Sequence, residues 1–210
     1  VLSDRGVLRD YSSPKEVLRK ISFFKNKLIF PNEAREQVKT QKDNKIIDIY
    51  EAYQHALQDN DALDFDDLII LPLIIFQKYP KVLNAFRKKW KYVLVDEYQD
   101  TNIPQFKFVT SIAGKHKQIC VVGDDDQSIY GWRGAEVRNI LEFEKSFPDC
   151  KIFKLETNYR STQEILDAAT HVVQNNNLRK QKVLHAHNGS GDKLGLFESV
   201  DELEESDAVV

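Results

Sequence analysis

The sequence lacks any apolar run long enough to cross a bilayer. The longest, Leu68 to Phe76, contains Pro72 and falls well short of the roughly 20 residues a spanning helix needs. Cysteine is scarce: Cys120 and Cys150 form no Cys-x-x-Cys pair, so a reducing, cytoplasmic setting without a structural disulfide is expected. Basic excess is missing too, with 30 Lys+Arg against 33 Asp+Glu and a net charge of -3. That balance excludes a protein basic overall but leaves room for local nucleic-acid-binding patches. No signal peptide opens the chain, Val1 to Arg5 has no initiator Met, and the last residues break off in an acidic helical stretch. An internal segment of a longer protein is the expectation. Internal repeats and low-complexity tracts are absent. What remains is a globular composition, 41% hydrophobic and 30% charged over 210 residues, enough for one large domain or two modest ones.

Ser13, Pro14 and Glu16 give a capping box with proline at the first helical position, which predicts a helix from Pro14 to about Asn26. A second helix is expected near Asn32 and a third over Lys45 to Gln58, where Ile46, Ile49, Tyr50, Tyr53 and Leu57 keep the spacing of one buried face. Residues 1 to about 60 read as a small helical region. Asp64 to Leu68 opens a further helix that Pro72 is placed to kink, and a basic stretch from Ala85 to Lys91 follows. Beyond it, strands and helices alternate. Tyr92 to Val95 and Gln118 to Val122 are predicted as strands buried on both faces. A third strand is predicted over Lys151 to Leu155 and a further one over Lys193 to Val200. Helices are predicted over Thr101 to Ala113, Ala135 to Phe147, and Ser161 to Gln174, the last capped by Ser161 with Glu164 three residues on. This alternation is that of an α/β fold with a parallel sheet.

Two stretches carry chemistry. The run from Tyr92 to Val95 ends abruptly in Asp96 and Glu97. Ligands of parallel sheets sit at the carboxyl ends of the strands, so both carboxylates are delivered where a ligand would be. In P-loop NTPases an Asp at this place holds Mg²⁺ and a neighbouring acid orients or deprotonates the attacking water. A strand ending in an acidic turn is the plainer alternative. Gly123 to Ala135 leaves the next strand at the same sheet edge and presents Gln127, Tyr130, Trp132 and Arg133 in close succession. Aromatic faces stack on bases of any identity, while arginine reaches phosphate. At ~3.5 Å per extended residue, Gln127 and Trp132 lie no more than roughly 17 Å apart, so one loop can meet a nucleotide and a nucleic-acid strand. Core aromatics in a glycine-bounded turn are the alternative, disfavoured by Arg133.

Val93-Leu94-Val95-Asp96-Glu97-Tyr98-Gln99-Asp100-Thr101, Gly123 to Ala135, and Leu155-Glu156-Thr157-Asn158-Tyr159-Arg160-Ser161 resemble motifs II, III and IV of the UvrD/PcrA/Rep family. These are superfamily 1A DNA helicases that move 3′ to 5′ on single-stranded DNA. Asp64 to Leu68 is similar to a short motif upstream of motif II. The likeness is close over roughly residues 60 to 175 and looser outside. It implies an incomplete RecA-like P-loop NTPase sheet, preceded by a small all-helical region and followed by the start of a second RecA-like domain. Residues 1–60 would be the end of a helical insertion called 1B, residues 61–150 the second half of the first motor domain, and residues 151–210 the start of the second. By the same resemblance Asp96 binds Mg²⁺ through water and Glu97 activates the attacking water. Gln127 senses the γ-phosphate of ATP. Tyr159 stacks on adenine and Arg160 reaches the γ-phosphate as an arginine finger. Tyr130, Trp132, Arg133 and, more weakly, Phe65 contact single-stranded DNA. Single-stranded DNA and its junctions with duplex are the implied substrates, repair or replication proteins the implied partners, and no membrane is involved.

One departure counts against activity of these residues by themselves. No Gly-x-x-x-x-Gly-Lys-Ser/Thr stretch occurs, so the backbone amides and lysine that grip the β- and γ-phosphates are not among them. The sequence therefore predicts no measurable ATP hydrolysis by this chain alone, and a weakly protected sheet edge. Two other readings stay open: a non-motor DNA-binding or regulatory protein on this scaffold, and a helicase–nuclease subunit. Elsewhere plainer roles are expected. His185 and His187 read as exposed loop histidines, Asp124 to Asp126 as a turn, and the tail acids as a solvated helix start. Lys78, Lys81, Arg87, Lys88 and Lys89 form either a solvated helix face or a path along a DNA backbone.

Overall fold

The computed structural model describes residues 13–38 and 40–210, without the side chains of residues 41 and 42. The reading of Val1 to Arg5 lies outside the described residues. The chain divides into two compact units, residues 1–150 and 151–210.

In the first unit, α1 (Pro14–Lys25) starts where the sequence places it, with Ser13 Oγ accepting from the Glu16 N–H at 3.3 Å. Then come α2 (Pro31–Gln37) and α3 (Gln41–Asp59). Val17 and Ile21 of α1 and Ile46, Ile49 and Tyr50 of α3 form one buried cluster, and Phe24 and Tyr53 pack against it. The expected apolar face of the third helix is thus the one buried. Next, α4 (Asp67–Lys78) buries Ile70, Leu73 and Phe76. Pro72 sits inside one continuous helix, and the sharp bend, 112°, falls instead at Tyr79 before α5 (Pro80–Lys89). Proline's fixed φ suits a first helical position, so the chain turns at Pro80 where the new helix begins. Arg87 donates Nε and Nη2 to the Ser111 carbonyl at 2.9 and 2.6 Å, which commits it to the fold while Lys78, Lys81, Lys88 and Lys89 stay exposed.

The strands β1 (Val93–Val95) and β2 (Ile119–Val121) pair in parallel, Val93 opposite Ile119 and Val95 opposite Val121, joined through α6 (Ile103–Ala113). Val93, Val95, Ile119 and Val121 pack on the buried cluster Tyr98, Ala113, Phe143 and Phe147. The expectation of burial on both faces fails: Leu94 is 79% exposed, and Tyr92 and Cys120 are exposed too. Alternate side chains of a strand point to opposite faces, and among the described residues only one face is covered.

The predicted helix over Ala135 to Phe147 is two short ones, α7 (Arg138–Leu141) and α8 (Phe143–Ser146). The Glu136 N–H and Asn139 Nδ2 both donate to the Thr101 carbonyl, at 3.0 and 2.9 Å, so the start of this segment is tied to the end of the carboxylate stretch. The break at Glu142 lets Phe143 meet Tyr98 edge-on, with ring centroids 5.6 Å apart.

In the second unit β3 (Thr157–Asn158) pairs in parallel with β4 (His185–Ala186), and α9 (Gln163–Val173) lies between them in sequence. Lys151 to Leu155 and Lys193 to Val200 form no strand: neither stretch enters a ladder, and Phe153, Leu155 and Leu196 are exposed. Apolar sequence alone does not make a strand without a neighbouring edge to pair with. The N-cap position of α9 is Thr162, which makes no side-chain cap bond, and Ser161 belongs to the preceding turn, where its N–H donates to Asn158 Oδ1 at 2.8 Å. His185 belongs to β4 rather than to a loop. The unit ends in α10 (Glu202–Val209), whose first turn is held by Asp201 Oδ1 accepting from Leu203 and Glu204 N–H groups. Among the described residues no single helix is long and apolar enough to cross a membrane.

Candidate functional site

The carboxylates leave β1 through a strained residue. Glu97 has φ 49° and ψ 43°, a left-handed conformation that costs a non-glycine residue about 1 kcal/mol or more. Its neighbours impose it. The Glu97 N–H donates to Asp96 Oδ1 at 2.9 Å, the Tyr98 N–H donates to the Val122 carbonyl at 2.9 Å, and the Tyr98 ring is fully buried. Burial pushes the Tyr98 phenol up to about 12, so it is a neutral anchor. With Tyr98 fixed below the sheet end, Asp96 and Glu97 are turned outward and exposed.

Gln99, given no role by the sequence reading, links the two strand ends. Its Nε2 donates to Glu97 Oε2 at 2.8 Å and its Oε1 accepts from the Asp124 N–H at 3.0 Å. Asp124 in turn accepts from Gln127 Nε2 through Oδ2 at 2.9 Å. Glu97, Gln99, Asp124 and Gln127 are therefore one hydrogen-bonded chain. It requires Gly123: a Cβ there would fall 2.4 Å from Gln99 Oε1 and 3.0 Å from the Tyr98 backbone nitrogen. A neutral amide able to donate to one strand end and accept from the other, set between Tyr98 and Asp100, was the available signal.

The loop after Gln127 presents its aromatic groups outward. Trp132 is 74% exposed, and Tyr130 is partly exposed with its ring centroid 6.4 Å from that of Trp132. The Arg133 guanidinium lies over both rings, at 4.6 Å from Trp132 and 5.2 Å from Tyr130. This is an exposed π-cation platform and not a core cluster. Asp124 to Gln127 form the expected turn, Asp124 Oδ1 accepting from the Asp126 N–H.

Phe65 is 92% exposed on a turn fastened on both sides. Lys25, only 2% exposed, sends Nζ to Asp64 Oδ2 at 2.6 Å and to Asp67 Oδ1 at 2.8 Å. Asp64 Oδ1 also accepts from the Asp67 N–H, and Asp64 Oδ2 from the Tyr53 hydroxyl at 3.1 Å. Burial pushes the Asp64 carboxyl up, but the hydrogen bond from Lys25 and the others outweigh it and hold the group below its ordinary value. Burial and then the Asp64 carboxylate push the Tyr53 phenol up to about 12. Lys15, Leu18, Arg19 and Tyr53 line a groove of about 390 Å³ beside Phe65.

In the second unit Tyr159 and Arg160 are both exposed. The Arg160 and Ser161 N–H groups donate to Asn158 Oδ1 at 2.9 and 2.8 Å, an Asx turn that fixes the backbone and leaves the guanidinium outward. The Tyr159 ring rests on His187, centroids 4.8 Å apart, and Asn188 Nδ2 donates to the Tyr159 carbonyl. The structure thus brings Asp96, Glu97 and Gln127 together, groups Tyr130, Trp132 and Arg133, and carries Phe65 on a separate turn. Tyr159 and Arg160 form a pair of their own.

Among the described residues no three metal-ligating side chains cluster. Mg²⁺ is commonly held by one or two carboxylates with waters and substrate phosphates completing its octahedron, and Asp96 offers one exposed carboxylate at the end of β1. Asp96 fits that role.

These arrangements have relatives. The family model described as the UvrD/REP helicase N-terminal domain matches residues 5–148, and the one described as the UvrD-like helicase C-terminal domain matches residues 153–210. The chain belongs to the UvrD/REP helicase family. It is 42% identical over its 210 residues to proteins named ATP-dependent DNA helicase PcrA from Staphylococcus epidermidis and from Staphylococcus aureus. All of the chain is covered in each case, against 29% of the relative, so it spans about three tenths of the length of these curated relatives.

Proposed function

We propose that these residues belong to an ATP-dependent DNA helicase that moves 3′ to 5′ along single-stranded DNA in repair or replication. In this reading residues 61–150 are the second half of a RecA-like motor domain, residues 151–210 open a second one, and residues 1–60 end a helical insertion. The single observation that carries it is the hydrogen-bonded chain from Glu97 through Gln99 and Asp124 to Gln127, followed three residues later by the Tyr130–Trp132–Arg133 platform. One loop then reads nucleotide state at one end and grips a strand at the other.

In ATP hydrolysis Asp96 would hold Mg²⁺ through water. That cation supplies charge neutralisation for the phosphates. Glu97 takes the proton of the attacking water, its carboxylate fixed by Gln99. Gln127 contacts the γ-phosphate, and a shift of its amide is passed to the loop bearing Trp132. Tyr159 stacks on adenine and Arg160 places positive charge on the equatorial oxygens. Tyr130, Trp132 and Phe65 stack on bases while Arg133 meets phosphate, which lets the protein work at single-strand and duplex junctions. The Gly-x-x-x-x-Gly-Lys grip is outside these residues, so the 210-residue chain alone turns over no ATP.

The test is Glu97→Gln in the complete gene product, which keeps the shape and the hydrogen bond to Gln99 but removes the base. DNA-stimulated turnover is expected to fall by about 10²- to 10⁴-fold with nucleotide binding retained. Turnover within about threefold of the parent would defeat the reading.

A further inference from the structure

Helix α1 ends at Lys25 with Asn26 as its C-cap, and both side chains reach the loops of the candidate site. Lys25 makes the buried pairs with Asp64 and Asp67 on either side of Phe65. Asn26 is more widely connected. Its Nδ2 donates to Ser22 carbonyl and hydroxyl oxygens at 2.8 and 3.1 Å and to Asp66 Oδ1 at 3.1 Å. Its Oδ1 accepts from Asn102 Nδ2 at 2.6 Å. The aromatic loop ends on Gly134, with φ 86°, directly over the same residue: a Cβ at position 134 would lie 3.4 Å from Asn26 Cβ.

Three segments therefore meet at one amide: the Phe65 turn, the exit from the carboxylate stretch at Asn102, and the end of the Trp132 loop. An amide suits the place because it donates to one side and accepts from the other. A carboxylate at position 26 would still accept from Asn102 but would face Asp66 charge to charge. Lys25 cannot supply this link, since its Nζ is directed to Asp64 and Asp67.

We infer that Lys25 and Asn26 are positioning residues that lock the Phe65 turn and the Trp132 loop into one geometry, so that a single strand of nucleic acid meets both aromatic platforms at once. The inference rests on the single-strand role proposed for Phe65 and Trp132. Two platforms held in fixed register bind a strand more tightly than two that must be ordered on contact. Loss of that register is worth about one stacking contact, or roughly tenfold in affinity.

The experiment measures binding of fluorescein-labelled oligo-dT to the complete gene product, with ATP turnover recorded in the absence of DNA. Asn26→Asp is expected to weaken oligo-dT binding by about tenfold while DNA-free turnover stays within about twofold. Combining Asn26→Asp with Asp66→Asn sets a donor against an acceptor again and is expected to restore binding to within about threefold of the parent. A loss arising away from the contact between positions 26 and 66 would not be repaired by exchanging the two groups, and unchanged DNA-free turnover separates a binding defect from general destabilisation. Should Asn26→Asp fail to fold by circular dichroism, Asn102→Ala takes its place, with a weakening of about threefold from one lost hydrogen bond. Trp132→Ala serves as reference. If it weakens oligo-dT binding and Asn26→Asp, or its substitute, does not, the junction is overturned and the function stands. If the exchange does not restore binding, the junction is likewise overturned. If Trp132→Ala itself has no effect, the single-strand role falls and the junction with it.

Discussion

Among the described residues the first unit buries two side-chain clusters and an ion-paired lysine, while the second buries one residue, Leu166, and pairs strands of two residues each. The consequence shows in how each presents its candidate residues. Glu97 keeps a strained backbone because Tyr98, Gln99 and Gly123 leave it no alternative. Tyr159 and Arg160 are steered by an Asx turn and a histidine ring, contacts made close to the surface. A group held within a few tenths of an ångström needs packed support around it. The first unit has that support within itself, and the second holds Tyr159 and Arg160 on a lightly packed edge.

This contrast can be broken by mutation. Phe143→Ala removes the ring that meets Tyr98 edge-on and stacks on Phe147, and should cost about 3–5 kcal/mol, with hydrogen exchange rising around Glu97. Leu166→Ala in α9 should cost about 2 kcal/mol, the low end for such a change, because its thinly packed surroundings can collapse. A larger cost at Leu166 than at Phe143 in urea unfolding would reverse the comparison.

Acid sharpens it further. Folding lowers the Asp64 pKa, so the stabilisation from its ionised form is complete above the unfolded-state value of about 4 and is lost as pH falls through the lower folded-state value. Asp64→Asn should therefore unfold more easily at neutral pH and depend less on pH in that acid range. Equal acid slopes for both proteins would remove Asp64 from the account. The second unit has an acid-sensitive contact too: the Gly191 N–H holds the partly exposed Glu164 carboxyl below its ordinary value, and solvent screens the effect.

The Ser13 cap of α1, the buried face of α3 and the parallel pairing of β1 with β2 were legible because each rests on local spacing or on alternation along the chain. The carboxylates and the Trp132 loop were legible as an ordered set of motifs. Other features depend on partners distant in sequence. The open face at Leu94 follows from what covers a sheet. The absent strands at Lys151 to Leu155 and Lys193 to Val200 follow from what pairs with an edge. The roles of Gln99 and Asn26 are set by bonds to Asp124 and Asn102, which no periodicity reveals.

The role proposed for Arg160 in ATP hydrolysis is open to the most direct test. The direct test is steady-state ATP turnover by the complete gene product carrying Arg160→Ala, at saturating single-stranded DNA and ATP. A fall of about 10³-fold or more, with the fold intact, is the expected result. Turnover within about fivefold of the parent would contradict it.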